Sequence, residues 1–195
     1  MTPLPPDLQQ TLDDIDAADR EADTLTAACT DEQFHWRPRG GQGWSIGQCL
    51  DHLALINVVY GNAVREGIDA ARERGWTRRG PAVAGFWGRM FVKSLEPPAT
   101  RRMSAPAKAR PATPKSRDDI LAAYHAAHDR IRVMLADAAG IDANRATFVN
   151  PFIRVVRVRV STGFRVIAAH DRRHLWQAGQ VRKAPGYPAP APVTR

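Results

Sequence analysis

The chain has 195 residues, of which 44% are hydrophobic and 25% charged, with a formal net charge of +8 at pH 7. This composition is ordinary for one folded globular domain and excludes intrinsic disorder as the default state. The N-terminus lacks the features of a signal peptide, and no apolar run approaches the roughly 20 residues that a membrane span requires, so we expect a cytoplasmic protein with no membrane partner.

The first predicted helix runs from Asp7 to about Thr26, since apolar residues recur there at spacings of three and four. A loop rich in Gly and Arg follows, "TDEQFHWRPRGGQG". Ser45 then begins a second helix, because Gln48 completes a capping box with Ser45. We expect this helix to reach about Glu66. Two cysteines, Cys29 and Cys49, are too few for a disulfide framework, and we interpret both as buried, reduced thiols.

Most of the positive charge lies in one segment, residues 72–117, which we call the basic arm. It holds twelve Lys and Arg and two acidic residues, a local charge of +10, so the rest of the chain carries −2. The arm is also rich in proline, and we expect a long surface connection with a short helix around "GFWGRMFVKSL". We expect it to add little to core stability and to form one rim of the functional site.

A third predicted helix runs from Ser116, which is followed by Asp119 as a capping signature, to about Ala139. Its apolar stripe includes His128. The next segment, "FVNPFIRVVRVRV", alternates in part like a strand, and we interpret it as an extended crossover without a partner strand. The last helix is predicted from about Ser161 to Lys183.

These elements predict an all-α fold, an antiparallel four-helix bundle with a long, basic, Pro-rich connection between the second and third helices. The bundle domain spans residues 1–183. A loose Pro-rich tail follows at residues 184–195.

The last helix contains "HDRRHLWQ", in which His170 and His174 lie on one helical face and fall within the buried stripe. A catalytic metal such as zinc usually takes three protein ligands and leaves a position open. His52 is the best third candidate because it lies beside the apolar stripe of the second helix. The alternative is a buried, hydrogen-bonded polar network without metal.

Two stretches carry a family resemblance: "FHWRPRGGQGWSIGQCLDHL" and, far downstream, "NPFIRVVRVRVSTGFRVIAAHDRRHLWQAGQVR". Together they resemble the DinB-like superfamily of four-helix-bundle metalloproteins. The resemblance implies a three-histidine metal site at His52, His170 and His174, with zinc or nickel. It also implies that a low-molecular-weight thiol such as bacillithiol, mycothiol or glutathione is a candidate cofactor, since some members resemble thiol-dependent transferases or isomerases.

Two further residues are candidates for catalysis. Asp171 follows the first histidine as the glutamate does in HExxH, where it acts as a general base, but it could equally pair with Arg172 or Arg173 at the surface. Gln48 lies one turn before His52 and could orient a ligand, although its role as a helix cap explains it as well. We interpret Trp44 as a packing anchor and Cys49 as a core residue rather than a nucleophile.

Two functions therefore remain open. The first is a metal-dependent enzyme, either a hydrolase or a thiol-dependent S-transferase or isomerase, that acts on a small-molecule substrate. The second is a non-catalytic, metal-stabilised binding module, a stress-related accessory with weak nucleic-acid contact through the basic arm. Nucleic acid is not the expected partner, because charge without a binding motif supports only weak, salt-sensitive association. A homodimer is the candidate assembly.

Overall fold

The computed structural model describes residues 3–27, 29–98, 105, 109–111 and 114–189. This part of the chain forms six helices and one two-stranded antiparallel sheet, so the all-α prediction is confirmed. The elements are α1 (Pro6–Ala27), α2 (Asp31–His35), α3 (Ile46–Glu73), α4 (Phe86–Leu95), α5 (Arg117–Ala138), β1 (Thr147–Val149), β2 (Arg157–Arg159) and α6 (Val160–Val181). Among the described residues, no helix has the length and apolar character needed to cross a membrane.

Helix α3 begins where the sequence predicts and ends later. The Ser45 hydroxyl accepts a hydrogen bond from the Gln48 backbone N–H at 3.0 Å, and the Gln48 side-chain oxygen accepts one from the Ser45 N–H at 3.1 Å. The helix continues past Glu66 through Gly67, which sequence propensity treats as a weak point. A Cβ at Gly67 would lie 2.9 Å from a methyl group of Val160, so the glycine permits close packing of α3 on the start of α6.

The predicted short helix in the basic arm is confirmed as α4, and it packs along α6. The two backbones are close, since a Cβ at Gly88 would lie 2.8 Å from the Thr162 side chain. Past the end of α4, Arg172 donates two hydrogen bonds to the Glu96 carboxylate, at 2.9 and 2.6 Å. This part of the arm is therefore attached to α6 rather than separated from the core.

The prediction that "FVNPFIRVVRVRV" has no partner strand is wrong. Its two halves pair with each other as β1 and β2, with Thr147 opposite Arg159. The turn is closed by Asn150, whose side-chain oxygen accepts hydrogen bonds from the N–H groups of Phe152 and Ile153, at 2.9 and 3.0 Å. The proline lies in this turn, where it removes no hydrogen bond from the strands.

The four longest helices pack against one another: α3 contacts α5 and α6, and α1 contacts α5 and α6. The stripes predicted from the sequence supply the core. The largest fully buried side chains are Tyr124, Phe34, Phe164, Leu8, Ile15, Ile46, Leu50, Leu53, Ile68, Ile131, Leu135 and Ile167. Since α3 and α6 lie side by side, the histidine of one faces the two histidines of the other.

The chain continues past α6 and contacts the first half of the molecule. The Tyr187 ring packs edge-on against Trp36, with 5.5 Å between ring centres. The Gln33 side-chain amide donates a hydrogen bond to the Pro188 carbonyl at 2.9 Å. The described part of the predicted tail therefore contacts α2 and the loop after it, and residues 190–195 lie outside the described residues.

Candidate metal centre

His52, His170 and His174 lie together between α3 and α6. Their ring centres are 5.1 Å apart for His52 and His170 and 4.5 Å apart for each of the other two pairs. Each ring offers one nitrogen to a group in which all three nitrogens lie within 4.8 Å of one another. In a tetrahedral zinc site, bonds of about 2.0–2.1 Å place ligand nitrogens roughly 3.3 Å apart, so small side-chain rotations would bring this group to that spacing.

The basic arm orients His52 by a backbone contact. The Nδ1 atom of His52 lies 2.6 Å from the carbonyl oxygen of Ala109. Because a carbonyl only accepts hydrogen bonds, Nδ1 carries the proton and Nε2 keeps its lone pair. Metal-binding histidines commonly use this arrangement, in which one nitrogen is held by a carbonyl and the other binds the ion.

Burial keeps all three imidazoles neutral at pH 7. Desolvation lowers the pKa of His52 despite the opposing Ala109 hydrogen bond. Desolvation, together with the charge of Arg173, lowers the pKa of His170 to about 3. Desolvation and the charge of Arg173 also lower the pKa of His174. A metal ligand must be deprotonated, so the three rings are in the protonation state that an ion requires.

The Nδ1 atoms of His170 and His174 are buried, and within the described part of the chain neither has a hydrogen-bond partner. Buried polar atoms in folded proteins are rarely left unsatisfied. Three neutral imidazoles, two of them with unsatisfied nitrogens, are a donor set that suits zinc, nickel, copper or iron. The chemistry of these side chains therefore fits a bound transition-metal ion.

The chain matches a known protein family over most of its length. The family model of the DinB superfamily matches residues 14–178, a range that includes all three histidines. The chain belongs to the DinB superfamily. Comparisons with curated proteins and with solved structures find no significant match.

In this DinB superfamily protein, aromatic and polar side chains surround the histidine group. The Trp44 ring stacks on His174 at 5.8 Å between centres and tilts against His52 at 4.9 Å. The nearby Gln177 side chain opposes the lowering of the His174 pKa. The Arg173 guanidinium donates a hydrogen bond to the Ser94 carbonyl at 3.3 Å. Its positive charge contributes to the lowered pKa of both His170 and His174. One wall of the site is therefore aromatic, and a buried cation lies nearby.

Asp171 of this DinB superfamily protein is fully buried and contacts two other helices. Its Oδ1 atom accepts a hydrogen bond from the Asn57 amide at 2.9 Å, and its Oδ2 atom lies 3.3 Å from Nε2 of His128. The suggested surface pairing with Arg172 is wrong, because that side chain pairs with other carboxylates. The general-base role of Asp171 stays a prediction.

His128 lies between the buried Asp171 and a pair of residues nearer the surface, Asp19 and Arg132. Its Nδ1 atom lies 2.6 Å from Asp19, which also accepts a hydrogen bond from Arg132 at 2.5 Å. Burial alone would lower the pKa of His128, but Asp171 and Asp19 raise it to about 9. Burial opposes ionisation of Asp19, but hydrogen bonds from His128 and Arg132 lower its pKa to about 2. We call these four residues the His128 network.

The two remaining candidates, Gln48 and Cys49, have structural roles as a helix cap and as a core residue. The Gln48 oxygen is used in the helix cap of α3, and its catalytic role stays a prediction. Cys49 is completely buried, which raises the pKa of its thiol to about 12 and excludes it as a nucleophile at pH 7. Sequence reasoning missed the contact with Ala109 and the His128 network, although His128 stood in the predicted apolar stripe of its helix.

Proposed function

We propose that this protein is a metal-dependent enzyme in which His52, His170 and His174 hold a divalent ion, zinc or nickel, with one coordination position open to a substrate. The observation that carries the proposal is the convergence of three neutral imidazoles from two packed helices, with nitrogens within 4.8 Å of one another. A bound ion supplies Lewis acidity, which lowers the pKa of a coordinated thiol or water.

We further propose that the reaction is a thiol-dependent group transfer or isomerisation rather than hydrolysis. A free thiol ionises near pH 8.5, whereas water requires far more assistance. The acid next to the histidines, Asp171, is engaged with Asn57 and His128 and is poorly placed to take a proton from water. We therefore assign neither Asp171 nor Gln48 a role as acid, base or nucleophile.

The residues around the histidines have roles in positioning. The Ala109 carbonyl holds His52 in one tautomer, so its Nε2 atom keeps the lone pair that an ion needs. Trp44 covers one side of the group and offers an aromatic surface to a substrate. Arg173, which is 7% exposed, adds positive potential beside the ligands and favours an anionic small molecule.

A non-catalytic, metal-stabilised module is the second candidate. The burial of His52 and His174, which are 2% and 9% exposed, favours it because an enzyme must admit a substrate to the ion. We propose for both candidates that α1, α3, α5 and α6 form an antiparallel four-helix bundle. We also propose a cytoplasmic location, a homodimer as the assembly and no nucleic-acid substrate.

The test is a screen of zinc-loaded and nickel-loaded protein for thiol transfer, with bacillithiol, mycothiol and glutathione as separate thiols and with no thiol as the reference. We expect activity that requires both metal and one thiol and that is absent in His170→Ala. His35→Ala is the matched control, because His35 is exposed on α2 and is not part of the group. Turnover of esters or amides without thiol would favour the hydrolase, and metal binding without any turnover would favour the binding module.

A further inference from the structure

Exposed apolar side chains are concentrated in two segments of the chain. Of the eleven large apolar side chains that are exposed in the described part of the chain, nine lie in residues 83–91 or 149–156. Trp87 of α4 is 81% exposed and Phe86 is 60% exposed, while Val155 at the hairpin tip is 92% exposed. Single exposed apolar residues are common, but a cluster of this kind marks an interaction site.

The two segments are neighbours in the fold. The guanidinium group of Arg159 at the end of β2 lies 3.4 Å from where a Cβ of Gly85 would be, directly before α4. Val158 packs towards the core, so its strand neighbours Arg157 and Arg159, which are both exposed, point outward, and the exposed turn residues Val155 and Val156 lie directly before them. The outward side of the hairpin therefore lies next to the start of α4. We call residues 83–95 and 147–159 together the docking surface.

The docking surface carries positive charge without acidic residues. Residues 83–95 and 147–159, which contain α4 and the hairpin, hold five Arg and Lys and no Asp or Glu. A second copy of the chain would bring the same charge against itself, so self-association through this surface is disfavoured. The charge instead complements an anionic partner.

We propose that the docking surface binds the face of an anionic lipid bilayer. Trp and Phe side chains beside Arg and Lys are typical of segments that lie in the membrane interface, where rings enter the headgroup region and cations meet anionic lipids. Single-stranded nucleic acid also takes aromatic and cationic residues, but it offers no partner for the aliphatic Ile153, Val155 and Val156. The sequence-based expectation of no membrane partner rests on the lack of a membrane-spanning segment. Binding at the membrane interface does not require such a segment.

The test is co-sedimentation of the full chain with vesicles of phosphatidylcholine, with and without about 30% phosphatidylglycerol. We expect binding to the anionic vesicles alone, weakened as salt rises from about 0.1 M to about 0.5 M. The double variant Trp87→Ser with Val155→Ser should bind at least about tenfold more weakly, because it removes two inserting side chains. Val133→Ser is the matched control, because Val133 is 59% exposed on α5, outside the docking surface.

A second variant tests the charge independently of the apolar residues. Arg154→Gln with Arg157→Gln should weaken binding and reduce its salt dependence, whereas Arg130→Gln on α5 should bind like the wild type. The proposal is overturned if the wild type ignores anionic vesicles, or if the double serine variant, checked as folded by circular dichroism, binds as well as Val133→Ser. It is also overturned if a single-stranded oligonucleotide displaces the vesicles and its own binding depends on Trp87.

Discussion

The Nε2 atom of His128 lies 3.3 Å from a carboxylate oxygen of Asp171, although the two side chains come from different helices and are both fully buried. On the other side of the ring, Nδ1 lies 2.6 Å from Asp19. Buried charges are costly unless they are paired, so the ring and its two carboxylates depend on one another. The network joins α1, α5 and α6 directly beside the histidine group, and it fixes the helix that carries two of the three histidines.

Asp171→Asn should therefore lower the free energy of unfolding by about 3–5 kcal/mol, the usual loss when one partner of a buried ion pair is removed. Urea unfolding with a chelator present measures this effect. Asp129→Asn is the matched control, because the Asp129 side chain is 75% exposed and should change stability by less than about 0.5 kcal/mol. A variant with wild-type stability and metal content but without activity would instead support the general-base role of Asp171.

The stability of the protein should fall as the pH rises from about 6.5 to about 9. The pKa of His128 is raised to about 9 by Asp171 and Asp19, against the effect of burial, while the unfolded value is near 6.5. Between these values the folded state binds a proton that the unfolded state releases, so the stabilisation is complete below pH 6.5 and lost above pH 9.

Urea titrations with a chelator at pH 6, 7.5 and 9 test this pH dependence of stability. His128→Gln should show a weaker dependence over this window, and His35→Gln, at an exposed site on α2, should keep the wild-type dependence. Equal slopes for wild type and His128→Gln would contradict the assignment of the proton to His128.

Local signals predicted the helices well, and tertiary contacts account for part of what was missed. Ser45 with Gln48 and Ser116 with Asp119 marked two helix starts correctly, because a cap is a local hydrogen bond. The end of α3 was placed too early, since the packing that favours Gly67 involves α6 and leaves no local pattern. The hairpin is local as well, but its proline argues against a strand until the Asn150 turn is seen to contain it.

The histidine group was predictable in part. The spacing of His170 and His174 places both on one face of a helix, and the position of His52 beside the apolar stripe of its helix made it the third candidate, in agreement with the family resemblance. The carbonyl of Ala109 is a backbone group far along the chain, so no side-chain pattern could identify it. Asp171 was ambiguous because its partner, His128, comes from another helix, although a histidine in an apolar stripe signals a buried partner.

Deletion of residues 101–110 should weaken metal binding. The sequence predicts that the basic arm adds little to core stability, but the Ala109 carbonyl in this arm accepts the hydrogen bond that orients His52. Loss of such a partner typically costs ten- to a hundredfold in metal affinity, so we expect about that decrease in a competition assay with a chelating dye. Helix content by circular dichroism should stay unchanged, and wild-type affinity in the deletion variant would show that the Ala109 contact is dispensable.

His174→Ala should lower metal affinity by more than the ten- to hundredfold typical of an orienting partner, because it removes a proposed ligand rather than a group that orients one. It should also reduce the stabilisation that metal confers, since an ion that binds only the folded state stabilises it by about 2.7 kcal/mol at a hundredfold excess over Kd. Thermal melting with added zinc and with a chelator measures that difference directly. We expect the wild type and His35→Ala to melt at a higher temperature with zinc, and His174→Ala to melt at nearly the same temperature in both. If the wild type shows no such shift and His174→Ala binds zinc as tightly as His35→Ala, the three buried histidines form a polar cluster within the core, and the metal-dependent function has to be abandoned.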